Sequence, residues 1–78
     1  MTYSTKDFYL AVLLLTNDFQ LSSSERKNEH TVYFNFLNHD DEKLKNIINE
    51  FVNCEITANV KKFTKCISII RNELNKHK

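Results

Sequence analysis

Residues 30–52 read HTVYFNFLNHDDEKLKNIINEFV, and two different hydrophobic periods follow one another within them. Apolar and polar side chains alternate over residues 30–37, so Val32, Phe34 and Phe36 share one face, as in a half-buried β-strand. Farther along, apolar side chains recur at the three- and four-residue spacing of an amphipathic helix: Leu44, Ile47, Ile48, Phe51 and Val52. The polar cluster at residues 38–41 separates the two patterns and is typical of a helix start.

A second alternating segment precedes this strand. Residues 19–26 alternate loosely, with Phe19, Leu21 and Ser23 on one face, and residues 27–29 form a polar turn. Two runs of period two around a short polar turn predict a β-hairpin. Residues 1–4 can add a third strand at the edge of the same sheet.

The first helix is predicted over residues 6–16, which are rich in Leu and Ala. Ser4 and Asp7 approximate a capping box at its start, and Asn17-Asp18 end it. Apolar side chains surround this helix, so it must be buried on most sides. A sheet and the other helices can cover it, or one of its faces can meet a second subunit as a homodimer.

The last helix is predicted to begin after a cap at Asn59, with Asn53 ending the helix before it and Ile56 turned inward between them. Its apolar stripe repeats at helical spacing: Val60, Phe63, Ile67, Ile70 and Leu74. The predicted order is (β)-α-β-β-α-α, an α+β fold in which three helices pack on a small antiparallel sheet. We expect residues 1–78 to form one compact domain.

Charge is segregated along the chain. Residues 1–59 carry five basic and nine acidic side chains, a balance of −4, whereas residues 60–78 carry six basic and one acidic, a balance of +5. Much of this excess falls on one face of the last helix, opposite the apolar stripe: Lys61, Lys62, Lys65 and Lys76, with Ile69 among them. These five residues are the predicted partner-binding surface.

Three interpretations of this basic face remain open. It is a solvated helix surface, a nucleic-acid contact in which each lysine meets a phosphate, or a contact for an acidic protein surface. Lys61 and Lys62 count against the first, because cations at a helix N-terminus oppose the helix dipole. Tyr33 on the outer face of the sheet would support the second by stacking on bases.

Catalytic and metal chemistry find little support in the sequence. The serines at residues 22–24 have no His or Asp nearby in sequence, and no glycine exists to form a phosphate-binding loop. Residues 39–42 (HDDE) are explained as helix capping, and no metal-ligand spacing or cofactor motif is present. We therefore expect no enzyme, no cofactor and no metal. His30 is predicted to be a surface residue and His77 a frayed tail residue.

The cysteines and the apolar segments indicate in which cellular compartment we expect the protein. Cys54 and Cys66 are the only two cysteines, and we expect both as free thiols, with Cys66 in the core. No secretory signal is recognisable, and the longest apolar run, residues 8–15, is too short to cross a bilayer. These observations predict a reduced cytoplasmic protein without membrane contact.

Several short segments occur in the order typical of a known family. Residues 5–11 (TKDFYLA), 33–36 (YFNF), 51–53 (FVN) and 59–63 (NVKKF) match its motifs. In this respect the chain resembles a family of small bacterial and phage proteins of unknown function. It departs at Asn17-Asp18, where the family has glycine, but Asn can take the same left-handed conformation.

The resemblance implies a compact accessory protein of phage or mobile-element genomes, and it carries over no catalytic residues. Together with the charge pattern it predicts a binding protein whose partner is a protein or nucleoprotein, such as a host defence complex. A nucleic-acid-binding module and a self-associating structural protein are the alternatives.

Overall fold

The computed structural model describes residues 1–77 and confirms the α+β class and the predicted element order. Lys78, the end of the predicted domain, lies outside the described residues. The elements are β1 (Thr2–Thr5), α1 (Phe8–Thr16), β2 (Gln20–Asn28), β3 (Thr31–Leu37), α2 (Asp41–Val52) and α3 (Val60–Asn75).

The three strands form one antiparallel sheet in the order β1-β3-β2, so β3 lies in the centre. Its alternation is as predicted, because Phe34 and Phe36 are buried under the helices and Val32 packs beside them. Tyr3 of β1 pairs with Phe36, and Thr5 with Phe34, so the predicted edge strand extends this core face. The helices leave the opposite face of the sheet open.

A β-bulge in β2 changes which of its side chains face the helices. Leu21 pairs with Phe36, but Ser23 pairs with Asn35 and Ser24 with Phe34. The extra residue between them reverses the alternation, so Leu21 and Ser24 lie on the helix side and Ser23 on the open side. The prediction that Leu21 and Ser23 share a face is therefore wrong.

The hairpin turn is also shifted from its predicted position. The strand β2 continues to Asn28, and only Glu29 and His30 separate it from β3, whereas the turn was expected at residues 27–29. A second irregularity in strand pairing between Arg26 and Asn28 accounts for the longer strand. The exposed position of His30 is as predicted.

Helix α1 begins later than predicted and lies at the centre of the core. Asp7 is its N-cap, accepting a hydrogen bond from the Leu10 backbone amide at 3.0 Å, whereas Ser4 lies in β1. Five consecutive residues of α1, positions 10–14, are at most 6% exposed. The sheet, α2 and α3 provide this burial within one chain, whereas Tyr9 of the same helix is 58% exposed.

Local hydrogen bonds fix the end of α1, and a residue other than glycine takes the left-handed conformation there. Asp18 takes the left-handed conformation with φ 69°, whereas Asn17, the residue expected there, has φ −94°. The Asn17 side chain instead donates a hydrogen bond to the Leu13 carbonyl at 2.8 Å. Asp is tolerated in this region because its short polar side chain can form local hydrogen bonds.

The cap of α3 is Asn59, as predicted, and the cap of α2, Asp40, lies within the predicted helix-start cluster at residues 38–41. Asp40 accepts from the Lys43 amide at the start of α2, and Asn59 accepts from the Lys62 amide at the start of α3. The inward faces of these helices add the remainder of the core: Leu44, Ile47, Cys66 and Ile70. The buried position of Cys66 as a free thiol is confirmed.

Three predicted core residues are exposed instead: Val52 (70%), Ile56 (42%) and Val60 (80%). The lengths of the helices give the reason. The nine residues of α1 span roughly 14 Å, whereas α2 has twelve residues and α3 sixteen, or roughly 18 and 24 Å. The adjoining ends of α2 and α3 therefore extend beyond the helix against which both pack.

Candidate partner-binding surface

The five predicted contact residues lie on the exposed side of α3. Lys61, Lys65 and Ile69 occupy successive turns at i, i+4 and i+8, so they form one row about 12 Å long. Lys62 and Lys76 flank this row. Ile69 is 44% exposed, as its predicted position among the lysines requires.

Lys62 is bound within the chain. Its Nζ lies 2.7 Å from the Asp18 Oδ1, and this hydrogen-bonded ion pair lowers the pKa of the Asp18 carboxyl below its ordinary 3.8. The contact joins the first turn of α3 to the left-handed residue at the end of α1. Lys62 therefore has a part in the fold that sequence reasoning did not anticipate.

Lys76 is also paired. Its Nζ lies 3.0 Å from the Glu73 Oε1, one turn earlier on α3. The pKa of Glu73 lies below its ordinary 4.5, first because Ser24 donates a hydrogen bond to this carboxylate and second because Lys76 does. The charge of Lys76, like that of Lys62, is therefore partly neutralised by a neighbouring carboxylate.

Lys61 and Lys65 are the two lysines of the surface that form no ion pair with any part of residues 1–77. With Asn59 and Lys62 they line a shallow depression of about 340 Å³. No acidic residue lies in the first turn of α3, and the dipole of the helix is positive at this end. Positive charge is thus concentrated near the start of α3, where Lys61 and Lys65 form no stabilising ion pair.

A cluster joining Ser24, Glu73 and His77 was not predictable from sequence spacing. Ser24 on β2 donates a hydrogen bond to Glu73, and the Ser24 Oγ lies 2.7 Å from the His77 Nε2. The prediction that His77 is a frayed tail residue is wrong, because this contact and a 2.9 Å bond from Arg26 to its carbonyl hold it half-buried against β2.

The arrangement of this cluster differs from that of a nucleophile with its base. In such a relay the base takes the hydroxyl proton and the carboxylate orients the base. Here Ser24 donates its hydroxyl hydrogen to Glu73, so the carboxylate binds the serine directly. The geometry suits a structural contact that holds the end of α3 against the sheet. We call this contact the clamp: Ser24, Glu73 and His77.

Arg26 completes the clamp and has few donors left for a ligand. Its Nε donates to the Asn28 carbonyl, one terminal nitrogen to the Glu29 carbonyl and the other to the His77 carbonyl, at 2.9–3.2 Å. The hairpin turn and the end of α3 are thereby joined through one guanidinium group. This positive charge serves the fold and does not extend the basic row.

The open face of the sheet is polar. Asn35 lies at its centre and is linked by hydrogen bonds to Ser4, Ser23 and Glu25. Tyr33, half-buried, lies on this same face. The helices, and with them the lysine row, lie on the other side of the sheet, so the tyrosine and the lysines predicted as a joint nucleic-acid surface are not brought together.

A second surface feature was missed by sequence reasoning. The exposed side chains of Val52, Ile56 and Val60 lie at the corner between α2 and α3. A shallow cleft of about 220 Å³ is lined there by Ile56, Ala58, Val60 and Phe63. The apolar periodicity assigned these residues to the core, and only the shortness of the first helical segment could have indicated otherwise.

The structure thus defines a small α+β protein with an open-faced antiparallel sheet and an exposed row of lysines on its last helix. The chain belongs to the family described as a domain of unknown function (DUF5659), which matches residues 1–76. No curated protein and no solved structure matches the chain. In the part of the chain that the structure describes, every helix is too short or too polar to cross a membrane.

Proposed function

We propose that this chain is a small non-enzymatic binding protein that occupies an acidic surface on a protein or nucleoprotein partner. The contact surface is the row Lys61, Lys65 and Ile69, with Lys62 and Lys76 at its sides. The resemblance in motifs supports an accessory role in phage or mobile-element genomes, with a cytoplasmic host complex as the partner.

One observation carries the proposal. Lys61 and Lys65 have no ion pair with any of residues 1–77, and Lys61, the second residue of α3, lies at the positive end of the helix dipole. A cation there opposes folding by about 0.3–1 kcal/mol at low ionic strength. An acidic partner would compensate this charge and also cover Ile69, which gives the row an apolar centre inside a charged rim.

A nucleic-acid partner is the second candidate. The depression lined by Asn59, Lys61, Lys62 and Lys65 offers several cations to a phosphate backbone at a helix N-terminus. The position of Tyr33 on the far side of the sheet favours the protein partner, because stacking and charge would have to act on opposite sides of the molecule.

The proposal is tested by capture from host lysate on immobilised protein, with and without nuclease. The double variant Lys61→Glu with Lys65→Glu should lose the captured partner while leaving the Asp18 ion pair of Lys62 intact. Ile69→Asp should lose it as well. Lys45→Glu, on the exposed side of α2, is the matched control and should capture normally.

The outcomes separate the two candidates. Capture that survives nuclease and fails in the double variant supports a protein partner. Capture that nuclease abolishes, with binding to DNA or RNA that falls steeply as salt rises, supports the nucleic-acid candidate instead. Undiminished capture by both the double variant and Ile69→Asp would remove this surface from consideration.

A further inference from the structure

The corner between α2 and α3 exposes several large apolar side chains. Val52 ends α2, Val60 begins α3, and Ile56 lies in the connector between them, all substantially exposed. Ala58 and Phe63 form the floor of the cleft beside them. We call this surface the corner patch: Val52, Ile56, Ala58, Val60 and Phe63.

Isolated exposed apolar residues are ordinary, but contiguous ones mark interaction sites. Four members of the corner patch are contiguous, because Ile56, Ala58, Val60 and Phe63 line a single cleft. Asn53 and Asn59 cap the two helices that frame the patch, and Ile56 and Ala58 lie in the irregular connector between these caps.

The rim of the corner patch carries charges of both signs. Glu55 precedes Ile56, and Lys61 follows Val60; both side chains are exposed and neither forms an ion pair within residues 1–77. Exposed apolar side chains with a free acid and a free base beside them in sequence have the composition of a self-complementary surface. In a two-fold contact the same patch meets itself, so residue i faces j and j faces i.

We propose that the corner patch binds a second copy of this chain in a two-fold arrangement, in which Glu55 of each copy faces Lys61 of the other. The apolar clefts of the two copies cover each other at the centre. This contact does not use α1, the helix first suspected of self-association, because residues 10–14 of that helix are already buried within their own chain.

The charges favour a second copy over an unrelated acidic partner. A uniformly acidic surface placed on this patch would meet Glu55 as a like charge, whereas a second copy pairs it. The net charge of +1 also leaves little overall repulsion between copies. The patch is small beside the roughly 800 Å² per partner of a standard interface, so we expect a weak, concentration-dependent dimer.

The inference does not depend on the proposed function. Lys61 lies at the boundary of the corner patch and the lysine row, but Val60 belongs only to the patch and Ile69 only to the row. Val60→Asp should abolish the dimer and leave partner capture, and Ile69→Asp should do the reverse. Failure of one proposal is therefore distinguishable from failure of the other.

The test is sedimentation equilibrium of the full chain from about 1 µM to 1 mM, at low salt and with reductant, so that no disulfide through exposed Cys54 is counted. The mass of the wild type should rise from 9.3 kDa toward twice that value. Val60→Asp should stay at the single-chain mass. An acid at the first position of a helix is favourable, so this variant should fold, as circular dichroism will verify.

Charge exchange gives the decisive comparison. Glu55→Lys alone and Lys61→Glu alone should each weaken dimerisation at least about threefold, because each places like charges opposite one another. The double variant should recover the wild-type dissociation constant within about twofold. The matched controls Lys45→Glu and Ile69→Asp should dimerise like the wild type.

Three results would overturn the inference. The first is a single-chain mass at every concentration, which would leave the patch to a different occupant. The second is a dimer that survives Val60→Asp, which would place the contact elsewhere. The third is a double charge exchange that is no better than the single ones, which would show that Glu55 and Lys61 do not face each other.

Discussion

Replacing Lys61 by glutamine should make the protein more stable. Lys61 is the second residue of α3, is exposed, and forms no ion pair within residues 1–77. Its charge therefore meets the positive end of the helix dipole without compensation. Lysine and glutamine have similar helix propensities, so the substitution removes the charge and changes little else.

The expected gain is about 0.3–1 kcal/mol in the free energy of unfolding at low ionic strength. For a domain of this size, 1 kcal/mol corresponds to roughly 4–8 °C in Tm, so the increase should be roughly 1–8 °C. The gain should shrink in 1 M salt, where the interaction is screened over roughly 3 Å. Urea unfolding at low protein concentration, followed by circular dichroism, measures it on the monomer.

Lys62→Gln is the matched control in the same turn of the helix. It removes the same unfavourable charge but also breaks the 2.7 Å ion pair with Asp18. Its stability should therefore be lower than that of Lys61→Gln. The reasoning would be refuted if Lys61→Gln were less stable than the wild type, or if the two variants shifted equally, since Lys61 would then contribute to the fold.

Three further predictions concern the clamp, the core and the backbone. Because the pKa of Glu73 lies below 4.5 in the folded state, the stabilisation from Ser24 and Lys76 is present at neutral pH and is lost as the pH falls through that lowered pKa. Glu73→Gln should thus be less stable than the wild type near pH 7, and the difference should shrink as the pH falls below 4.5 in pH-resolved urea unfolding. Ile70→Ala should cost about 2–5 kcal/mol in thermal unfolding, because Ile70 is fully buried between α3 and α1, and a loss below 1 kcal/mol would contradict that packing. Cys54→Gly should gain about 0.5–1 kcal/mol, because Cys54 has φ 58° and glycine pays no steric penalty there; a loss in calorimetry would mean that the thiol has a stabilising contact.

Local patterns predicted the elements well, because each element carries its own signal. The alternation of Val32, Phe34 and Phe36 and the caps at Asp40 and Asn59 follow from backbone geometry that a short segment determines by itself. No distant contact is needed to place them. The element order and the α+β class follow from these local signals together.

What local patterns did not predict depends on relations between elements. The bulge at Ser22 reverses β2 because the strand must pair with β3, and the exposure of Val60 follows from the length of α1. The contacts of Ser24 with Glu73 and His77 join residues about fifty positions apart. Such relations are set by tertiary packing, which sequence spacing within one segment does not encode.

The candidate surface shows the same division. The lysine face of α3 was predictable from helical spacing, but the partners of its lysines were not. Asp18 binds Lys62 because the left-handed end of α1 reaches α3, and Glu73 binds Lys76 one turn away. Lys61 and Lys65 remain as charges for which residues 1–77 provide no counterion.

Neutralising an unpaired lysine and neutralising the paired Lys62 should therefore have different effects on stability. If recognition maintains Lys61 against the helix dipole, neutralising it together with Lys65 should raise stability and lower partner affinity together. If they were merely solvated, stability would rise with no loss of binding. Measuring unfolding and capture on the same pair of variants, Lys61→Gln with Lys65→Gln against Lys62→Gln, therefore separates a recognition surface from an ordinary helix exterior.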